Sequence, residues 1–439
     1  MNQAHAQMAH DAMLDEPGAA TGPARVRRGI RPIPRITVQA FCETHELQSA
    51  IETAREDRRL ARVHIKVQAG GLPAAVEFYR DAPTPNLVIL ETTERREGLL
   101  RDLQAFSDVC DPTTRVAIVG HVNDILLYRE LTQLGIADYA VVPIAPLDVI
   151  EIISDIYADP AAKPIGRNIA FVGAKGGVGA STLAHNVAER LANTMKIDTI
   201  IADLDLPFGT ANLNFNQDPA QGVADAVLAP DRLDATMLDR LLSNCSPHLH
   251  LLAAPSTLDR TYDFAEGSFE QLVDLVRVSA PVTILDMPHG WNGWIRRTLI
   301  ACDEIMLVCA PELSNLRNAK NMVDLLRQAR PHDPAPKLVL NQVGMPKRPE
   351  IKPNDFARAL DLPLAAVVPF DANLFGLAAN NGQMIAEVQK TSKASDAIRV
   401  IAELIEPRSL AGKGRNRLAN LSLPLVGQIQ ALLAGRKKA

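Results

Sequence analysis

Short apolar runs alternate with amphipathic stretches along most of the chain. Between Ile36 and Ala158 the runs Arg35–Phe41, Arg62–Val67, Asn86–Leu90, Arg115–Val119 and Tyr139–Val142 read as strands. The stretches His45–Arg58, Leu72–Tyr79, Arg96–Val109, Asn123–Leu134 and Leu147–Tyr157 read as helices, the last with Val149, Ile152, Ile153 and Ile156 at helical spacing. Such β-α repetition predicts an α/β fold, a doubly wound parallel sheet of flavodoxin-like type over residues 35–158. A second series follows over residues 167–409, with strands at Asn168–Val172, Thr199–Ala202, Leu249–Ala253, Val282–Leu285, Glu304–Cys309, Lys337–Leu340 and Ala365–Val368. These are continuous apolar runs, as parallel strands buried on both faces require. Helices at Thr182–Asn193 and Asn315–Ala329 are among those that separate them. The expected fold class is therefore α/β, with two doubly wound parallel-sheet domains.

The flanks differ in character. Residues 1–34, rich in Ala, Pro and Gly with Arg25, Arg27, Arg28 and Arg31, read as a disordered leader. Residues 159–166 carry two prolines among small residues and read as a linker. Residues 410–439 form a basic, partly amphipathic tail, with Leu425, Ile429, Leu432 and Leu433 on one helical face ahead of Arg436, Lys437 and Lys438. That face suits either docking on the protein itself or peripheral contact with an anionic membrane.

Composition narrows the classes. A net charge of −5 argues against a nucleic-acid-coated protein. Five cysteines without a CxxC pair point to reduced thiols in a cytoplasmic protein rather than a disulfide framework or a zinc site. The N-terminus has no secretory pattern, and no run approaches the roughly 18 apolar residues of a membrane span.

The candidate chemistry centres on Gly173-Ala-Lys-Gly-Gly-Val-Gly-Ala-Ser-Thr182, which leaves the run Ile169–Val172 and enters a helix. A strand, a glycine-rich turn and a helix N-terminus make a phosphate cradle of backbone N–H groups. The pattern G-x-x-x-x-G-K-[ST] is met with two departures: Ala174 stands at the first glycine, and Ala180 stands at the lysine. A lysine appears early instead, at Lys175. Asp203 and Asp205, Asp286 and Asn341 close other strands, and parallel strand ends open on the same sheet edge as the loop. Carboxylates there can hold Mg²⁺ and position a water, with Ser181 offering its hydroxyl to the metal.

With these residues in view, Lys175-Gly-Gly-Val-Gly179 resembles the deviant Walker A loop of the MinD/ParA ATPases. The wider string to Asn186 resembles the CpaE/TadZ pilus-assembly branch, as do Asp203-Leu-Asp-Leu-Pro-Phe-Gly-Thr210, Leu251-Leu-Ala-Ala-Pro255 and Leu316-Arg-Asn-Ala-Lys320. The first half resembles the receiver domain of response regulators, most plainly in Gly135-Ile-Ala-Asp-Tyr-Ala-Val-Val-Pro143. Its phosphorylation set is missing: Glu91 stands for the acceptor aspartate, Ala40-Phe-Cys-Glu43 supplies one carboxylate of a pair, and Val142 stands for the lysine. A receiver so altered cannot hold the metal or form the acyl phosphate, and reads as an interaction or dimerisation module. Glu91 is then either a solvated strand-end carboxylate or a built-in mimic of phospho-aspartate.

The resemblance implies roles by position. Lys175 would reach across a nucleotide-sandwich homodimer to the partner's phosphates. Gly176, Gly177, Val178, Gly179 and Ala180 would shape the cradle, Thr182 would contact phosphate, and Ser181, Asp203 and Asp286 would support Mg²⁺. Asp205 would orient the hydrolytic water, Asn341 would meet the adenine of ATP, and Pro369 and Asp371 would line the base pocket. In the family's active ATPases position 180 is a second lysine, so Ala180 implies slow turnover or a nucleotide-gated scaffold. The implied function is an ATP-binding localisation factor for a type IVb (Flp/Tad) pilus, meeting the Tad/Cpa secretion ATPase and polar factors at a cell pole or the inner membrane. A ParA/MinD-type regulator of DNA segregation or cell division is the alternative, and a phosphorylatable two-component regulator is disfavoured by Glu91 and Val142.

Overall fold

The computed structural model describes residues 30, 33–158, 165–258 and 260–406. The tail, nearly all of the leader and most of the linker lie outside the described residues. Ile33, at the end of the expected leader, is already buried in the first domain's core.

The first sheet contains β1 (Ile36–Cys42), β2 (Val63–Ala69), β3 (Leu87–Thr92), β4 (Arg115–Gly120) and β5 (Asp138–Val141). Their order is β2-β1-β3-β4-β5 and every pairing is parallel. Central β3 is buried along its whole length, while edge strand β2 starts by alternating buried and exposed positions. This is the pattern that two covered faces and one exposed edge impose. Two separate apolar cores, one around Ile51, Ile89 and Ile153 and one around Phe41, Leu90 and Phe106, flank the sheet.

The second sheet contains β6 (Arg167–Gly173), β7 (Thr199–Asp203), β8 (Ser243–Ser246), β9 (Leu249–Leu252), β10 (Val282–Asp286), β11 (Glu304–Cys309), β12 (Lys337–Val343) and β13 (Leu364–Pro369). The order is β13-β12-β11-β6-β10-β7-β9-β8, parallel throughout except for β8. The chain winds outward from β6 in both directions, so the end of β6 is the topological switch point where such sheets bind ligands. The antiparallel edge strand β8 was not expected, because Ser243-Asn-Cys-Ser246 carries no apolar alternation.

One helix ends earlier than its pattern predicts. The expected stretch His45–Arg58 is helical to Arg55, and a separate 3₁₀ turn, Arg58–Leu60, follows. Asp57 caps that turn by accepting the Arg59 N–H at 2.9 Å. The turn aims two arginines at the second domain. Arg58 donates to the carbonyls of Ala301 and Cys302, and both Arg58 and Arg59 pair with Asp333, which Arg330 also holds. No helix among the described residues is long and apolar enough to cross a membrane.

Candidate nucleotide site

The loop after β6 is built by turning its carbonyls outward. The side-chain amides of Asn318, Gln342 and Asn341 donate to the carbonyls of Ala174, Gly177 and Val178 at 3.0, 2.8 and 2.8 Å. In a trans peptide the next N–H points opposite to the carbonyl, so the N–H groups of Lys175, Val178 and Gly179 turn away from these amides. The helix Ala180–Glu189 follows directly and adds its own unpaired N-terminal donors. Val178 anchors the loop by burying its side chain, while Lys175, Gly176 and Gly177 stay exposed. Gly179 is required twice over: its φ is +83°, and a Cβ there would lie 2.5 Å from Asn341 Nδ2.

Lys175 Nζ lies 3.5 Å from Glu312, the residue that precedes the helix Leu313–Ala329. Both side chains are part-exposed, at 51% and 30%. Ala180 opens the loop's own helix and packs partly against its core, so no cation stands at that position.

Behind the loop, Asp203 and Asp286 are direct neighbours in register on β7 and β10, and both are buried. Both oxygens of Asp203 accept backbone N–H groups, from Asp205 at 3.2 Å and Ala211 at 3.0 Å. Burial, reinforced by the Asp286 charge, pushes the Asp203 pKa up to about 7, against the pull of His185 and those two backbone bonds. Asp205 is half-buried, which raises its pKa; its carboxylate and carbonyl oxygens accept the N–H of Phe208. Asp286 Oδ2 faces His185 Nε2 at 3.1 Å, whereas Oδ1 is buried with no partner among the described residues. An orphaned carboxylate oxygen at a strand end, beside a helix whose first turn carries Ser181, is the donor set a hard divalent cation takes. Of the two buried aspartates, Asp286 is the one with an unpartnered oxygen among the described residues, and Asp203 lies within 4.8 Å of it in the same cluster of ligand atoms.

Asn341 and Asp371 have structural duties. Asn341 is buried and spends its amide on Val178 and its oxygen on the Gln342 N–H. Asp371 caps the helix Ala372–Asn381 by accepting the Leu374 N–H at 3.0 Å. Pro369 sits across from Val343 in the β12–β13 pairing, so both candidates for the base pocket end on the same edge as Asn341. Sequence reasoning missed His185, Asn318, Gln342 and Glu312. His185 had a signal, being an ionisable residue inside the buried run Leu183–Ala188; the other three had none without the fold.

In the first domain, Glu91 is not a solvated carboxylate. It is fully buried and accepts the N–H groups of Glu43 and Thr44, at 2.7 and 2.8 Å, and the Thr44 hydroxyl at 2.7 Å. His121 Nε2 lies 3.1 Å from its other side. The end of β3 is thus filled by a carboxylate already saturated with donors.

No protein-family model matches the chain. The septum site-determining protein MinD of Bacillus subtilis (strain 168) is 26% identical over 256 residues, covering 55% of this chain and 89% of that protein. Among solved structures, the pilus assembly protein CpaE of Caulobacter crescentus CB15 is 46% identical, covering 29% of this chain and 98% of that one, with a TM-score of 0.29. A ParA family ATPase from Chlorobium tepidum TLS is 26% identical over 54% of this chain and 98% of its own, with a TM-score of 0.48.

Proposed function

Taking the chain as a CpaE-like member of the MinD/ParA ATPases, we propose that it is an ATP-binding, slowly hydrolysing assembly factor of a type IVb (Flp/Tad) pilus, switched by ATP-dependent dimerisation. The observation that carries this reading is the pair Lys175 and Ala180. The loop keeps the lysine that can leave its own subunit and lacks the one that would serve within it. The Lys175–Glu312 pair is part-exposed, and such pairs are worth about 0.2–1 kcal/mol. A charge-assisted bond to phosphate is worth about 1.5–3 kcal/mol. At that single contact, the pair with Glu312 is therefore weak enough to be given up for a partner's phosphate.

Ser181, Asp203 and Asp286 would hold Mg²⁺, with Asp205 orienting a water. Bound there, the ion would neutralise charge on the β- and γ-phosphate oxygens. Absence of a cation at position 180 removes one donor from the transition state, which typically costs about 10²–10³ in rate. The expected output is regulated assembly rather than fast chemistry. The first domain, its acceptor site closed by Glu91, would serve as a contact module for pilus machinery. The protein would then work from the cytoplasm, at a cell pole or peripherally at the inner membrane.

Sizing of wild type, Lys175→Ala and Ala180→Lys with and without ATP, alongside turnover, tests this. Wild type should dimerise with ATP, Lys175→Ala should remain monomeric, and Ala180→Lys should hydrolyse ATP faster. ATP-dependent dimers of Lys175→Ala equal to wild type would sink the reading.

A further inference from the structure

We propose that His185 is a positioning residue of the nucleotide site, one that holds the Asp286 carboxylate with Oδ2 occupied and Oδ1 left for the metal. The inference rests on the nucleotide reading above and adds a residue to it. His185 lies on the helix Ala180–Glu189, one turn beyond Ser181, and its side chain is only 1% exposed. An imidazole buried that completely must have both nitrogens satisfied, and here each has a partner. Nε2 faces the Asp286 carboxylate at 3.1 Å, so that nitrogen donates. Nδ1 receives the Asn214 amide at 2.7 Å.

The consequence is geometric. A carboxylate at the end of β10 can rotate about its last bond, and either oxygen could serve a metal. The donor from His185 removes that freedom by engaging Oδ2, and Oδ1 is the atom left buried without a partner. Asn214 extends the same chain of bonds to the short helix Ala211–Asn214, whose first N–H is held by Asp203 Oδ2 at 3.0 Å. His185 therefore joins three parts of the site: the phosphate-loop helix, the strand-end Asp286, and the segment that follows Asp203 and Asp205. Within the buried trio His185, Asp203 and Asp286, whose ligand atoms lie within 4.8 Å of one another, the imidazole is assigned the donor's part, Nε2 toward Asp286 and Nδ1 toward Asn214.

Partners that orient a metal-binding group change affinity by about 10–100-fold when removed. The full chain is titrated with a fluorescent ATP analogue, once in EDTA and once in excess Mg²⁺, for wild type, His185→Leu, His185→Gln and Asn214→Ala. Thermal unfolding is followed in parallel. Wild type should bind more tightly with Mg²⁺ than in EDTA. His185→Leu should keep the EDTA affinity and lose most of the Mg²⁺-dependent gain, by tenfold or more. His185→Gln should retain the gain, since its amide nitrogen can occupy the place of Nε2. Asn214→Ala leaves the buried His–Asp pair intact and should lose part of the gain, which keeps the test decisive if His185→Leu fails to fold. An unchanged Mg²⁺-dependent gain in His185→Leu, or in Asn214→Ala where His185→Leu does not fold, overturns the role of His185. Failure of wild type to bind the analogue in either condition overturns the nucleotide reading itself.

Discussion

Glu43 and Glu91 lace the ends of β1 and β3 together, each carboxylate accepting backbone donors from beside the other residue. Glu91 Oε2 takes the N–H of Glu43 itself at 2.7 Å, while Glu43 Oε2 takes the N–H of Thr93 at 2.9 Å and its hydroxyl at 2.7 Å. Removing Glu91 would strand the Glu43 and Thr44 N–H groups in a buried site. Glu91→Ala should destabilise the first domain by about 2–4 kcal/mol, several charge-assisted bonds being lost at once. Denaturant unfolding of the full chain, followed for the transition of this domain, measures that. Glu91→Asp should not take up phosphate from a small-molecule phosphodonor, since Glu43 is committed to Thr93 and no lysine stands at Val142.

Two glycines of the loop should respond differently to alanine. Gly177 has φ +76° with nothing within 4 Å of an added Cβ, so Gly177→Ala should cost about 1–2 kcal/mol of backbone strain and leave nucleotide binding measurable. Gly179→Ala adds a 2.5 Å collision with Asn341 to the same strain. It should displace the amide that holds Val178 and weaken binding of an ATP analogue by tenfold or more.

Asn341→Ala separates two roles. If the residue serves the loop, as its bonds to Val178 and the Gln342 N–H indicate, ATP and GTP analogues should lose affinity to the same extent. A selective loss for the adenine nucleotide in competition titration would instead make Asn341 a reader of the base.

The domain junction should be acid-sensitive. Burial alone would raise the pKa of Asp333, but Arg58, Arg59 and Arg330 outweigh it and hold the carboxyl below its usual range. A carboxylate with a depressed folded pKa stabilises fully above its unfolded value of about 3.9. Its contribution is lost as pH falls through the folded value. Small-angle scattering should therefore show the two domains separating below about pH 4. Asp333→Asn should loosen the junction already at pH 7, at a cost of about 3–5 kcal/mol, because three guanidinium groups are left without their shared anion. Scattering from Asp333→Asn identical to wild type at pH 7 would refute this.

The sheets were legible because central strands such as β3, β6 and β10 are continuous apolar runs, and the strand–turn–helix at Gly173–Thr182 because its glycine spacing is local. What escaped depended on partners distant along the chain. Asn318 and Gln342 act on loop carbonyls 144 and 165 positions away, and nothing in their own neighbourhoods marks them. Glu91 escaped for a related reason: a carboxylate closing a strand looks solvated until the N–H groups after β1 are seen folded over it. The helix at His45 was read too long, since helical spacing continues past Arg55 and the Asp57 cap that restarts the chain as a tighter turn is a tertiary choice. His185 was visible as a residue, but its two partners lie on separate segments.

The open side of a sheet is the usual place where copies of a protein join by the wrong surface. At one margin of the second sheet lies β8, four residues of Ser, Asn and Cys, running against its neighbour with a register break between Asn244 and Ser246. A strand that short, polar and irregular offers a poor template for another chain's backbone. On this side, at least, runaway stacking of copies into fibres is discouraged.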